Sequence, residues 1–133
     1  MIPVRNALTV DVEDYFQVSA FSSAVERSTW DEWPSRVCAN TRRLLELFDA
    51  HNVRGTFFVL GWVAERQPAL VREIAAAGHE IACHGQSHEL IYRQTPAVFR
   101  EETRRAKATL EDLARQKLST DSYEIVTKTL GAA

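Results

Sequence analysis

Residues 55–60, GTFFVL, form an apolar run with no alternation, the pattern of a parallel strand covered on both faces. Two further short apolar runs, 7–12 and 79–83, read as strands on either side of it in the chain. A helix is expected over 35–50, where Pro34 can open it and Val37, Leu44, Leu45 and Phe48 give it one apolar face. A second helix is expected between the later two strands, with Pro68 in its first turn, Leu70, Val71 and Ile74 on its buried side, and Gly78 as its stop. A third begins at Thr95 and Pro96 and runs to Leu113. Phe99, Thr103, Ala106, Leu110 and Leu113 repeat at helical spacing along it, opposite a charged face. The order is βαβαβα, so an α/β fold with a parallel sheet is expected.

That topology places three polar groups on one sheet edge. Asp11, Glu13 and Asp14 follow the first strand, Gly61 and Trp62 the second, and His84 and His88 the third. The C-terminal edge of parallel strands is where such folds build their sites. Two imidazoles four residues apart can face one ion if the backbone after them coils like a helix turn. With one carboxylate they complete a three-ligand hydrolytic zinc site that leaves a place for water. A carboxylate not spent on the metal can act as general base. Cys83, facing away from His84, reads as a small buried hydrophobe. His79 reads as a turn residue and His51 as a helix terminus. Trp30, Trp33 and Trp62 read as core or rim packing rather than sugar platforms.

The totals exclude several classes. The 133 residues are 45% hydrophobic and 26% charged, which fits one ordinary globular domain. A net charge of −2 and a pI near 6.1 give no nucleic-acid footprint. No apolar run approaches the roughly 20 residues of a membrane span. The N-terminus shows no signal peptide, so a cytoplasmic location is expected as the sequence is written. Two cysteines, Cys38 and Cys83, make no disulfide framework.

TVDVEDYF followed by GTFFVLGWVAERQPALVREIAAAGHEIACHGQSHEL, and then the helix TPAVFREETRRAKATLEDL, resembles the first part of the polysaccharide deacetylases with NodB homology. The likeness is strongest to the branch found with bacterial exopolysaccharide synthesis and export. It implies the N-terminal part of a distorted (β/α) barrel, three parallel strands with flanking helices. It also implies metal-dependent removal of acetyl groups from a polysaccharide or amino-sugar oligomer. Asp11 matches the family's catalytic base, and His84 and His88 its metal-binding histidines. For the metal-binding acid, Asp14 is favoured, on the expectation that the turn after the strand brings it back to the histidines; Glu13 is the alternative. The resemblance divides the chain into a partial deacetylase domain, 1–113, and an unmatched tail, 114–133, readable as helix or strand. The family's Arg-x-Pro, Asp-x-Trp and Leu-x-His motifs do not follow Leu113. A complete barrel takes about 250 residues, so an incomplete barrel with impaired turnover is expected, the alternative being a non-catalytic metal- or carbohydrate-binding fragment. A half-barrel would also expose a sheet edge and apolar surface, and either self-association or a tail folded back over that side is expected.

Overall fold

A computed structural model describes residues 6–118. The tail's helix-or-strand question lies outside the described residues. Strand β1 is Thr9–Val12, β2 is Thr56–Val59 and β3 is Glu80–Cys83. They form one parallel sheet in the order β1-β2-β3. The helices are α1, Val37–Ala50; α2, Gly61–Arg66; α3, Pro68–Ala76; and α4, Pro96–Ala114. The expected βαβαβα order holds, and the architecture is an open α/β sheet with flanking helices. The second expected helix is preceded by a separate short one, α2, because Pro68 opens α3 immediately after it. Among the described residues no helix is long and apolar enough to cross a membrane.

The strand register sorts the sheet into two chemically different faces. Val12, Val59 and Cys83 lie in one row, and Val10, Phe57 and Ile81 in the next. This face packs with the helices: Leu70, Val71 and Ile74 of α3, Ala106 and Leu110 of α4, and Val37 and Phe48 of α1 join it in one core. Because side chains alternate along a strand, the other face carries Asp11, Phe58 and Ala82, with Thr9, Thr56 and Glu80 below them. Continued by one step, the same parity puts Glu13 and His84 on that second face. The fold thus separates a packing face from a face that ends in ionisable groups.

His79 fills the turn before β3, as its sequence position suggested, and it is buried. Its ring lies 4.8 Å from the ring centre of Phe57 and 5.7 Å from that of Phe48. Its Nδ1 accepts the Gly55 N–H at 3.2 Å. Burial, with Arg54 adding to it, holds the imidazole pKa below its ordinary value. The unfolded chain therefore binds the proton more readily than the fold, and stability falls as pH drops below about 6.5. We expect the urea midpoint to decrease from pH 7.5 to pH 5.5, with a smaller decrease for His79→Gln. Parallel pH dependences in the two proteins would show that His79 does not contribute.

Between β1 and α1 the chain runs through 3-10 turns at Tyr15–Gln17, Ser19–Phe21 and Arg27–Glu32. Aromatic side chains hold this segment to the body. Phe16, Trp30 and Trp62 meet edge-on or tilted, with ring centres 5.6 to 6.2 Å apart. Trp30 is buried, Trp62 half-buried and Trp33 exposed, in keeping with core and rim packing. Arg66 stacks on Trp62 at 3.9 Å and pairs with Asp31.

Candidate metal centre

Glu13, His84 and His88 converge beyond the C-terminal ends of β1 and β3. One ligand atom from each lies within 4.8 Å of the others. His88 Nε2 is 3.0 Å from Glu13 Oε2, and His84 Nε2 is 3.9 Å from Glu13 Oε1. Asp11 borders the group, with Oδ2 at 4.0 Å from His84 Nε2, and its side chain is far more exposed than the other three. Asp11, Glu13 and His84 arrive together because they share the sheet face opposite the row of Val12, Val59 and Cys83.

His88 arrives by a different route. Residues 84–88 do not coil as a helix; Gly85 takes φ +79 and His88 φ +54. Both values lie in the left-handed region, which Gly adopts freely and His does not. The loop is anchored by its own backbone, since Gly85 and Gln86 carbonyls accept the N–H groups of Gly61 and Trp62 at 2.8 and 3.0 Å. These are the first N–H groups of α2, which a helix cannot satisfy internally. The two histidine rings finish edge-to-face, 5.2 Å apart.

Asp14 goes elsewhere. It is 2% exposed, and its carboxylate accepts from Ser35 Oγ at 2.6 Å and from the backbone N–H groups of Arg36 and Val37 at 2.7 and 3.1 Å. These contacts cap the start of α1 from the turn after β1, in place of a local capping residue. The turn after β1 therefore does not return Asp14 to the histidines. The acid beside them is Glu13, the alternative weighed from the sequence. Cys83 sits in the helix-packed core, away from the group.

The electrostatics differ between the two rings. Burial opposes the His84 imidazolium, but the carboxylates of Glu13 and Asp11 outweigh it and hold its pKa above the ordinary value. For His88, burial prevails, helped by His84 and Arg27 and opposed by Glu13, and the pKa lies below the ordinary value. His84 Nε2 is buried without a hydrogen-bond partner, and Glu13 Oε2, equally buried, meets His88 Nε2 at 3.0 Å. Buried polar atoms are normally partnered. Two imidazole nitrogens and a carboxylate that converge in this way are a donor set suited to a divalent cation. A cavity of ≈ 300 Å³ opens on one side of His88, with Leu90, Tyr92 and Phe99 in its walls. Ser19 and Arg27 stand on the other side. Neither was singled out from the sequence, because the irregular segment holding them has no periodicity to read.

Residues 24–123 match the family model of the polysaccharide deacetylases. The match starts after the acidic strand end and extends ten residues past Leu113. A chitooligosaccharide deacetylase of Bradyrhizobium is 34% identical over 90 residues, covering 68% of this chain and 40% of the relative. A peptidoglycan-N-acetylglucosamine deacetylase of Bacillus cereus is 32% identical over 94 residues, covering 71% of this chain and 34% of the relative. The chain thus spans well under half the length of these relatives. A Mycobacterium smegmatis crystal structure assigned to the polysaccharide deacetylases superposes with a TM-score of 0.68 at 33% identity, over 84% of this chain and 40% of the other. Three-quarters of the sequence under one family model, and a shared fold at this identity, show that the chain belongs to the polysaccharide deacetylase family.

Proposed function

We propose that this chain carries the metal-binding half of a hydrolase that removes acetyl groups from an N-acetylated polysaccharide. Glu13, His84 and His88 would hold the metal, and zinc suits two imidazoles and a carboxylate. The observation that supports this most is the convergence of those three groups, with His84 Nε2 buried and unpartnered, beside the exposed carboxylate of Asp11. A divalent cation bound there would polarise the acetyl carbonyl and acidify water.

Asp11 is the group left to accept a proton. Its carboxylate is exposed, while Glu13 is turned inward between the histidines. It can therefore receive the proton of water attacking the amide carbon and act as general base. His84 Nε2 lies about midway between both acids, 4.0 Å from Asp11 Oδ2 and 3.9 Å from Glu13 Oε1. Amino-sugar oligomers are the substrate class suggested by the two relatives' names.

The test is acetate release from an N-acetylglucosamine oligomer with added zinc, comparing the chain with Asp11→Asn. We expect slow release by the chain and a loss of at least about 100-fold in the variant, the usual scale for a general base. Equal release by both would remove Asp11 from the mechanism. No release by either, with one zinc retained per chain, would favour a metal- or carbohydrate-binding role without turnover.

A further inference from the structure

His88 holds its ring toward Glu13 from a left-handed backbone, φ +54. A residue with a β-carbon persists there only where its surroundings over-determine it. The restraint comes from one side chain sixty-one positions earlier. Arg27 donates from Nε to the Ser87 carbonyl at 2.9 Å and from Nη2 to the His88 carbonyl at 3.0 Å. Its Nη1 pairs with the Glu89 carboxylate. Three consecutive residues, with His88 in the middle, are thus gripped by one planar guanidinium. The guanidinium itself lies 5.8 Å from the ring centre of buried Trp30, which fixes it from behind. In the same segment, Ser19 Oγ sits 3.4 Å from His88 Nδ1, the ring nitrogen turned away from Glu13.

We propose that Arg27 is a positioning residue of the metal centre, which acts by locking the backbone of residues 87–89 so that His88 Nε2 meets Glu13 and His84. The inference rests on the metal reading given above. It also gives the 3-10 segment a purpose: the segment leaves the site at Glu13 and returns to brace the opposite ligand. A lysine cannot take over, because a single ammonium lacks the rigid fork that reaches two carbonyls and a carboxylate together.

Zinc affinity, measured by competition with a chromogenic chelator, tests this in the wild type, Arg27→Ala, Arg27→Lys and Arg105→Ala. Arg105 makes a comparable two-pronged pair with Glu65, away from the site, and serves as control. Removing a residue that orients a metal ligand typically weakens binding about 10- to 100-fold. We expect that loss in Arg27→Ala, at least about fivefold in Arg27→Lys, and no change in Arg105→Ala. The metal-free proteins should keep their circular dichroism, and the His88 side-chain NMR signals should shift in the two Arg27 variants alone. Wild-type zinc affinity in Arg27→Lys overturns the proposal even if Arg27→Ala does not fold. A loss of the same size in Arg105→Ala also overturns it, since the effect would then be general. A wild type that binds no zinc overturns the metal reading itself, and this inference with it.

Discussion

Glu13→Gln lowers zinc affinity by more than about 100-fold, the upper end of what loss of a merely supporting residue costs, while Asp14→Ala leaves affinity within a small factor and lowers Tm. The two acids are neighbours in sequence and opposite in placement. Glu13 faces His84 and His88, so its charge would stand next to an ion bound there. Asp14 is buried against the first turn of α1, where it accepts three hydrogen bonds. Truncating it leaves two backbone N–H groups and a hydroxyl without their acceptor, and the Val37 N–H among them is buried. Orphaned groups of this kind, with the lost cap, cost about 3 kcal/mol together. For a domain of this size that is about 10 °C in Tm. Thermal unfolding by circular dichroism and zinc titration on both variants separate the roles. Zinc affinity lost in Asp14→Ala and kept in Glu13→Gln would reverse the assignment.

Gly61→Ala is expected to destabilise the fold by about 2 kcal/mol or more, in the range for overpacking a filled interior, and to weaken zinc binding as well. An added β-carbon at Gly61 would lie 2.2 Å from Gln86 Oε1, 2.8 Å from its Cδ and 2.9 Å from Ala106 Cβ. The amide can swing aside, but the Ala106 contact is with the body of α4 and offers no such freedom. Gln86 is midway between the histidines, so relief by moving it carries the strain into the proposed metal site. Adding Gln86→Ala should restore part of the stability and not all of it, because the Ala106 contact remains. Such a partial rescue is the signature of coupled neighbours. A Gly61→Ala protein with the wild-type urea midpoint would contradict the packing described.

The fold was legible because its signals are short-range. GTFFVL, the Pro68 and Pro96 starts and the Gly78 stop mark elements whose ends the structure places within two residues of expectation. The sheet edge, and with it the company of Asp11 and the histidines, followed from topology. Which of Glu13 and Asp14 lies beside the histidines depended on whether strand parity survives the end of β1. It does: Asp11 and Glu13 stay on one face, and Asp14 falls on the face of Val10 and Val12, toward α1. The two histidines meet without the helical coil considered for them, because Gly85 admits a left-handed turn and Arg27 holds the backbone of a second one at His88. That brace spans sixty-one residues, and no local pattern announces a contact of that range.

Asp14 also bears on how β1 finds its place. The strand has four residues, and only Val12 among them is buried, so apolar contacts distinguish poorly between the native alignment on β2 and a neighbouring one. A slip by one position would turn Glu13 toward the helix and withdraw Asp14 from the three donors waiting at α1. Misalignment would thus be penalised by unmet hydrogen bonds rather than by exposed hydrocarbon. Asp14 acts as a ratchet, favouring the alignment that sets Glu13 beside the two histidines.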